Sequence, residues 1–130
     1  MALEPLEKAM LIAQGMDKRR ALDIMVLDMQ QLMSVTSYFV ICHGRSQTHV
    51  DAIGQSIIEH MLENDARVDH REGGRGAVWN ILDYGSAVAH VFTEEGRDFY
   101  DLERFWEDAP VIEHARSETL DSEPEDTAQP

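Results

Sequence analysis

The sequence predicts an α/β domain, a mixed five-stranded sheet flanked by helices. Three observations carry that expectation. Apolar residues recur at helical spacing in Leu3, Leu6, Met10 and Leu11. They run without a break through Tyr38-Phe39-Val40-Ile41-Cys42, and they form a hairpin pattern over Trp79–Phe92. Helical and extended periods therefore alternate along a chain of 130 residues, a length suited to one core.

The elements follow in order. Leu3, Leu6, Met10, Leu11 and Gln14 define the first helix, with Gly15 as its expected stop and Asp17-Lys18-Arg19-Arg20 as a polar connector. Leu22–Met29 is rich in apolar and β-branched residues and suits a strand, and Ser34–Ser37 suits a turn. Tyr38–Cys42 has the unbroken apolar character of a central strand covered on both faces. Gly44-Arg45-Ser46 then opens a helix, with Ser46 as N-cap and Val50, Ile53, Ile57, Met61 and Leu62 as its buried stripe. Residues 64–71 read as a short strand and Glu72-Gly73-Gly74-Arg75-Gly76 as a flexible loop. After the hairpin, a final helix runs from about Arg97 to Asp108 and stops before Pro110. The folded domain is thus expected over 1–110, and 111–130, without apolar periodicity, as an acidic disordered tail.

Charge narrows the function. The formal net charge is −14. Residues 111–130 hold six of the 25 acids and one of the 11 bases, so the body keeps 19 acids against 10 bases. Direct nucleic-acid binding is not expected, because wrapping a phosphate backbone needs clustered Lys and Arg. A basic protein partner suits this field through electrostatic steering; so does the plainer role of solubility. Cys42 is the only cysteine, which rules out an intramolecular disulfide and a cysteine-based zinc site. It reads as a small buried apolar residue in a reducing compartment. The first residues carry no basic region ahead of an apolar stretch, and no run approaches the length of a membrane span. The expected location is the cytoplasm.

The hairpin concentrates the candidate binding residues. A two-residue loop at Gly85-Ser86 places Trp79, Ile81, Asp83, Val88, His90 and Phe92 on one face, and Asn80, Leu82, Tyr84, Ala87, Ala89 and Val91 on the other. The second set is small and smooth enough to receive a helix. The first mixes aromatic, acidic and imidazole groups, as a partly exposed patch does. Trp79 and Phe92 equally suit a cross-strand core pair, and the residues leave both readings open. The partner-binding candidates are Trp79, Asp83, Val88, His90 and Phe92, with Tyr84 at the hairpin tip. The final helix around Arg97, Tyr100 and Glu103 comes next.

Catalytic constellations do not assemble. The six histidines show no HExxH or HxH pairing, so no metal is expected. Asp83 and His90 resemble a base and its orienting carboxylate, yet no nucleophile accompanies them, and Ser86 has no elbow motif around it. The glycine-rich loop precedes a strand, lacks a Lys-Ser/Thr pair and carries its own acid, Glu72, so it makes a poor phosphate cradle. Gly44-Arg45-Ser46 resembles the turn that opens nucleotidyltransferase sites. The carboxylate pair those enzymes need for magnesium is missing, since Arg67-Val68-Asp69-His70-Arg71 holds only Asp69.

Several ordered motifs together resemble the ribosomal silencing factors, the RsfS/Iojap family. They are Asp23–Asp28, Ser37–Ser46, Glu72-Gly73, Trp79 through Gly85, Val88–Phe92 and Arg97 through Trp106, covering residues 5–109. Ser37 stands where the family usually has Asp, and the acidic tail lies outside the pattern. The resemblance implies a nucleotidyltransferase-like fold without the catalytic carboxylates, no enzymatic activity, no cofactor, and often a homodimer when free. It also implies binding to the large ribosomal subunit through its L-fourteen protein. That would block joining of the small subunit and repress translation when nutrients are short. The competing reading is an enzyme acting on nucleotides through a degenerate transferase fold.

Overall fold

The computed structural model describes residues 3–115 of the chain. In chain order the elements are α1 (Pro5–Asp17), β1 (Leu22–Asp28), β2 (Tyr38–Gly44), α2 (Gln47–Glu63) and β3 (His70–Glu72). They continue with β4 (Trp79–Asp83), β5 (Ala87–Thr93), α3 (Glu94–Tyr100), α4 (Leu102–Phe105) and β6 (Val111–Ala115). The sheet has six strands in the order β3-β4-β5-β2-β1-β6, one more than the sequence predicts. Only β2 and β5 run parallel; every other neighbouring pair is antiparallel.

The extra strand corrects the expected boundary at residue 110. Val111–Ala115 adds to the free edge of β1, with Val26 opposite Glu113 and Leu27 opposite Val111. The sequence hides this strand because Glu113 and His114 interrupt its apolar pattern, and its stabilisation comes from backbone pairing. The rest of the expected tail, 116–130, lies outside the described residues.

Helices α1 and α2 cover one face of the sheet. Ile12, Met16, Val50, Ile53, Ile57 and Met61 meet Val26, Val40, Leu82, Ala89 and Val91 there. Gly15 does not stop α1 but lies inside it: a Cβ at this position would come within 2.9 Å of the Ile57 Cα. The bare glycine lets the two helices cross closely, and the Ser56 hydroxyl donates to the Gly15 carbonyl at 2.7 Å across the contact. Ser46 caps α2 as expected, accepting from the His49 N–H. Leu62, expected in the buried stripe, is exposed.

The other face is covered by α3, α4 and the segment after them. Leu27, Met29, Phe39, Ile41, Val88 and Phe92 pack with Leu102 and Ala109 in a second core. The expected single helix from Arg97 to Asp108 is broken in two, because Asp101 takes a left-handed conformation at φ 47° and ends α3. Thr93 caps α3, its hydroxyl accepting from the Gly96 N–H at 3.0 Å, with Glu94 and Glu95 in the first turn.

Candidate partner-binding face

The hairpin forms with the expected register. Trp79 pairs with Phe92, Ile81 with His90 and Asp83 with Val88 around the Gly85-Ser86 turn. Its two strands differ in cover. Strand β5 is buried along its whole length, whereas Trp79, Ile81 and Asp83 of β4 remain half-buried. Of the sequence-predicted site residues, Phe92, Tyr84, His90 and Val88 are therefore inside the protein, and the expected mixed surface patch is mostly core. Pattern alone could not distinguish these cases, since the cover arrives from α3 and α4.

Trp79 links core to surface. Its ring stacks on Phe92 at a centroid separation of 5.1 Å and meets Tyr100 of α3 at 4.6 Å. The indole Nε1–H donates to His90 Nδ1 at 3.1 Å. Burial pushes the His90 imidazole down to about 3, so the ring is neutral and Nδ1 is free to accept. The Phe39 ring meets His90 edge-on at 4.5 Å.

The aromatic contacts extend outward in both directions. Tyr100 touches Phe99 at 5.0 Å, and Phe39 reaches Trp106, which touches Phe105 at 5.0 Å. Both ends of this belt face solvent: Phe99 is 80% exposed and Phe105 74%. Sequence reasoning missed these two residues. The available signal was the number of aromatics between residues 99 and 106, too many for a short helical segment to bury on one side.

Carboxylates border the belt. Asp23, Glu94, Asp98, Asp101 and Glu103 line a cavity of about 490 Å³ together with Met25, His43 and Arg97. Arg97 is buried and organises the floor. Its Nη2 and Nε bind Glu103 Oε2 at 2.7 and 2.8 Å. Its Nη1 lies 3.0 Å from His43 Nδ1 and reaches the Leu22 carbonyl at 3.3 Å. Burial, and then the Arg97 charge, hold the His43 imidazole below its ordinary value, which leaves its Nδ1 free to accept from the guanidinium.

The suspected base pair does not form. Asp83 accepts from the Gly85 N–H at 2.8 Å and stabilises the turn, while His90 is bonded to Trp79. Tyr84 lies on the helix-covered face, where burial pushes its phenol up to about 12. Among the described residues no three His, Cys, Asp or Glu side chains gather to hold a metal ion, and no helix is long and apolar enough to cross a membrane.

Comparison with known proteins settles the lineage. The family model for "Ribosomal silencing factor during starvation" matches residues 2–130. The chain belongs to the RsfS family. It is 42% identical over 101 residues to the Bacillus subtilis ribosomal silencing factor RsfS, covering 78% of this chain and 86% of that one. It is 33% identical over 113 residues to the chloroplastic Iojap protein of maize, covering 85% of this chain and 48% of that longer one. A crystal structure of a Chromobacterium violaceum protein, 28% identical, superposes with a TM-score of 0.78 over 81% of this chain and 88% of its own. A Bacillus halodurans structure, 31% identical, gives 0.71 over 80% and 94%. Membership supports a role in translation regulation with ribosome association.

Proposed function

We propose that this RsfS-family chain docks on the large ribosomal subunit through its L-fourteen protein and sterically blocks joining of the small subunit, acting in the cytoplasm. The observation that carries this reading is the aromatic belt beside the carboxylate-lined cavity. Exposed aromatic residues desolvate a large area at low entropy cost and are enriched at binding hot spots. The carboxylates beside them complement the basic surface typical of ribosomal proteins. Trp79 and Asp83, half-buried at the hairpin edge, contribute contact atoms. Val88, His90 and Phe92 hold the platform from beneath, and Tyr84 anchors the turn from the opposite side.

The same belt serves as a self-association surface in the free protein, because Phe99 and Phe105 leave apolar area uncovered. A nucleotidyltransferase-like scaffold without its carboxylate pair fits a protein that acts by occupancy and carries out no reaction. The test is to mix the purified chain with large subunits and then with small subunits, and to read association by sedimentation. The chain should migrate with large subunits and reduce the joined fraction. Free migration in the presence of large subunits would sink the reading.

A further inference from the structure

The glycine-rich loop between β3 and β4 has a role that the aromatic belt does not explain. Asn80 Oδ1 accepts from the Gly74 N–H, the Gln47 side chain donates to the Ala77 carbonyl at 3.0 Å, and Gly76 N–H points to Asp51 Oδ1 at 3.5 Å. A Cβ at Gly73 would lie 2.5 Å from the Trp79 carbonyl, and its φ is +91°. The loop is therefore clamped between α2 and β4. A cavity of about 700 Å³ opens beneath it, lined by Thr48, Asp51 and Gln55 of α2 and by Arg71, Arg75 and Asn80. That size falls within the range of small-ligand sites.

Alternation along β3 sorts its charges by face. Arg71 pairs with Leu82 and shares the α2 side with it, while Glu72 pairs with Ile81 on the opposite side. Glu72 is there engaged by His70 at 3.1 Å. The loop's own acid, which made it a poor phosphate cradle in the sequence, thus points away from the groove. Among the described residues neither Arg71 nor Arg75 has a carboxylate within ion-pair distance, in a protein with 25 acids. Asp51, the one carboxylate lining the groove among the described residues, lies within reach of the Gln47 side chain and the Gly76 N–H.

We infer that this groove is a phosphate-binding site. Arg71 and Arg75 supply the charge, as guanidinium forks match phosphate oxygens in pairs. The Asn80 amide and the Thr48 hydroxyl add neutral contacts at the groove wall. The shared chemistry is a phosphate oxyanion, whose source is either a nucleic-acid backbone or a free phosphorylated small molecule. Because it lies on the α2 side of the sheet, opposite the aromatic belt, its occupancy is independent of docking through that belt.

The test is a titration of the full ¹⁵N-labelled chain, followed by two-dimensional NMR, with sodium pyrophosphate and separately with a short single-stranded oligoribonucleotide. Saturable shifts are expected at the amides of Arg71, Gly74, Arg75 and Gly76 and at the Asn80 side chain, weakening as salt rises. Pyrophosphate shifts without oligonucleotide shifts identify a free phosphate ligand; oligonucleotide shifts identify a nucleic-acid backbone. The variants R71Q and R75Q should each weaken the response at least about tenfold, a loss on the scale of one charged hydrogen bond. Their spectra elsewhere should stay unchanged, because both side chains are exposed. Failure of both probes to shift these amides overturns the proposal, as does an undiminished response in the variants.

Discussion

Removing the indole N–H from Trp79 probes the join between the sheet and its outer cover. In Trp79→Phe the aromatic ring remains on Phe92 and Tyr100, but His90 Nδ1 loses the indole N–H that donates to it, in a site where His90 is 5% exposed. An acceptor buried without a partner costs about 1–3 kcal/mol, so Trp79→Phe should destabilise the domain by about 1–2 kcal/mol. Trp79→Ala also removes the ring. Full burial of a tryptophan sets that loss at about 3–5 kcal/mol, and half-burial reduces it to about 2. With the orphaned nitrogen the sum is about 3–4 kcal/mol. Urea unfolding read by far-ultraviolet circular dichroism measures both, with the slope unchanged if only native stability moves. A double-mutant cycle with His90→Phe isolates the pair and should return a coupling of about 1 kcal/mol. Additive single effects would refute the bond, and a cost below about 0.5 kcal/mol for Trp79→Ala would show that the ring lies on the surface unsupported. Trp79→Glu is unsuitable as a pure binding probe, because it places a carboxylate against Phe92 in the second core.

Further expectations concern protons, backbone and the chain end. The folded-state value of His90 lies below its unfolded value, so the unfolded chain binds the proton more readily. Stability from this group is full above about pH 6.5 and is lost as pH falls toward about 3, by about 2 kcal/mol between about pH 7 and pH 5. His43 is lowered as well and adds in the same direction. Urea midpoints at several pH values should show this fall, and His90→Phe should flatten it; an equally steep profile in the variant would contradict it. Gly96→Ala should cost about 2 kcal/mol or more by thermal unfolding, because its Cβ would meet the Val78 carbonyl at 2.6 Å. Ending the chain after residue 110 should lower the melting temperature by several degrees, since β1 loses the partner that covers its edge. Ending it after residue 115 should leave stability within about 0.5 kcal/mol. Equal melting temperatures for the two truncations would show that β6 adds nothing.

Much of the fold was legible because period and punctuation agreed. The Ser46 cap, the continuous apolar run of β2 and the Gly85-Ser86 turn each specify their element locally, and each is found. The failures share a cause in tertiary context. Gly15 looked like a stop because its close neighbour, Ile57, is 42 residues away in the chain, a relation no window reveals. Val111–Ala115 is a strand only because β1 offers a free edge. The site was half legible for the same reason. The sequence sorted the hairpin residues by face as the strand pairing has them, but which of those residues are covered depends on the break at Asp101 and the path of α4. The exposed ends of the aromatic belt, Phe99 and Phe105, became identifiable only once that cover was placed.

Docking through the aromatic belt is tested most directly by the double variant Phe99→Ala, Phe105→Ala in a sedimentation assay with large subunits and the isolated L-fourteen protein. Both rings are mostly exposed, so folding should change by no more than about 0.5 kcal/mol, checked by circular dichroism. If the belt is the docking surface, loss of two anchors should cost about 2–4 kcal/mol of binding, lowering affinity at least about thirtyfold. The wild-type chain should then migrate with large subunits and hold small subunits apart, and the folded variant should do neither. A folded variant that still binds both the subunit and the L-fourteen protein at wild-type affinity would contradict the assignment of this face.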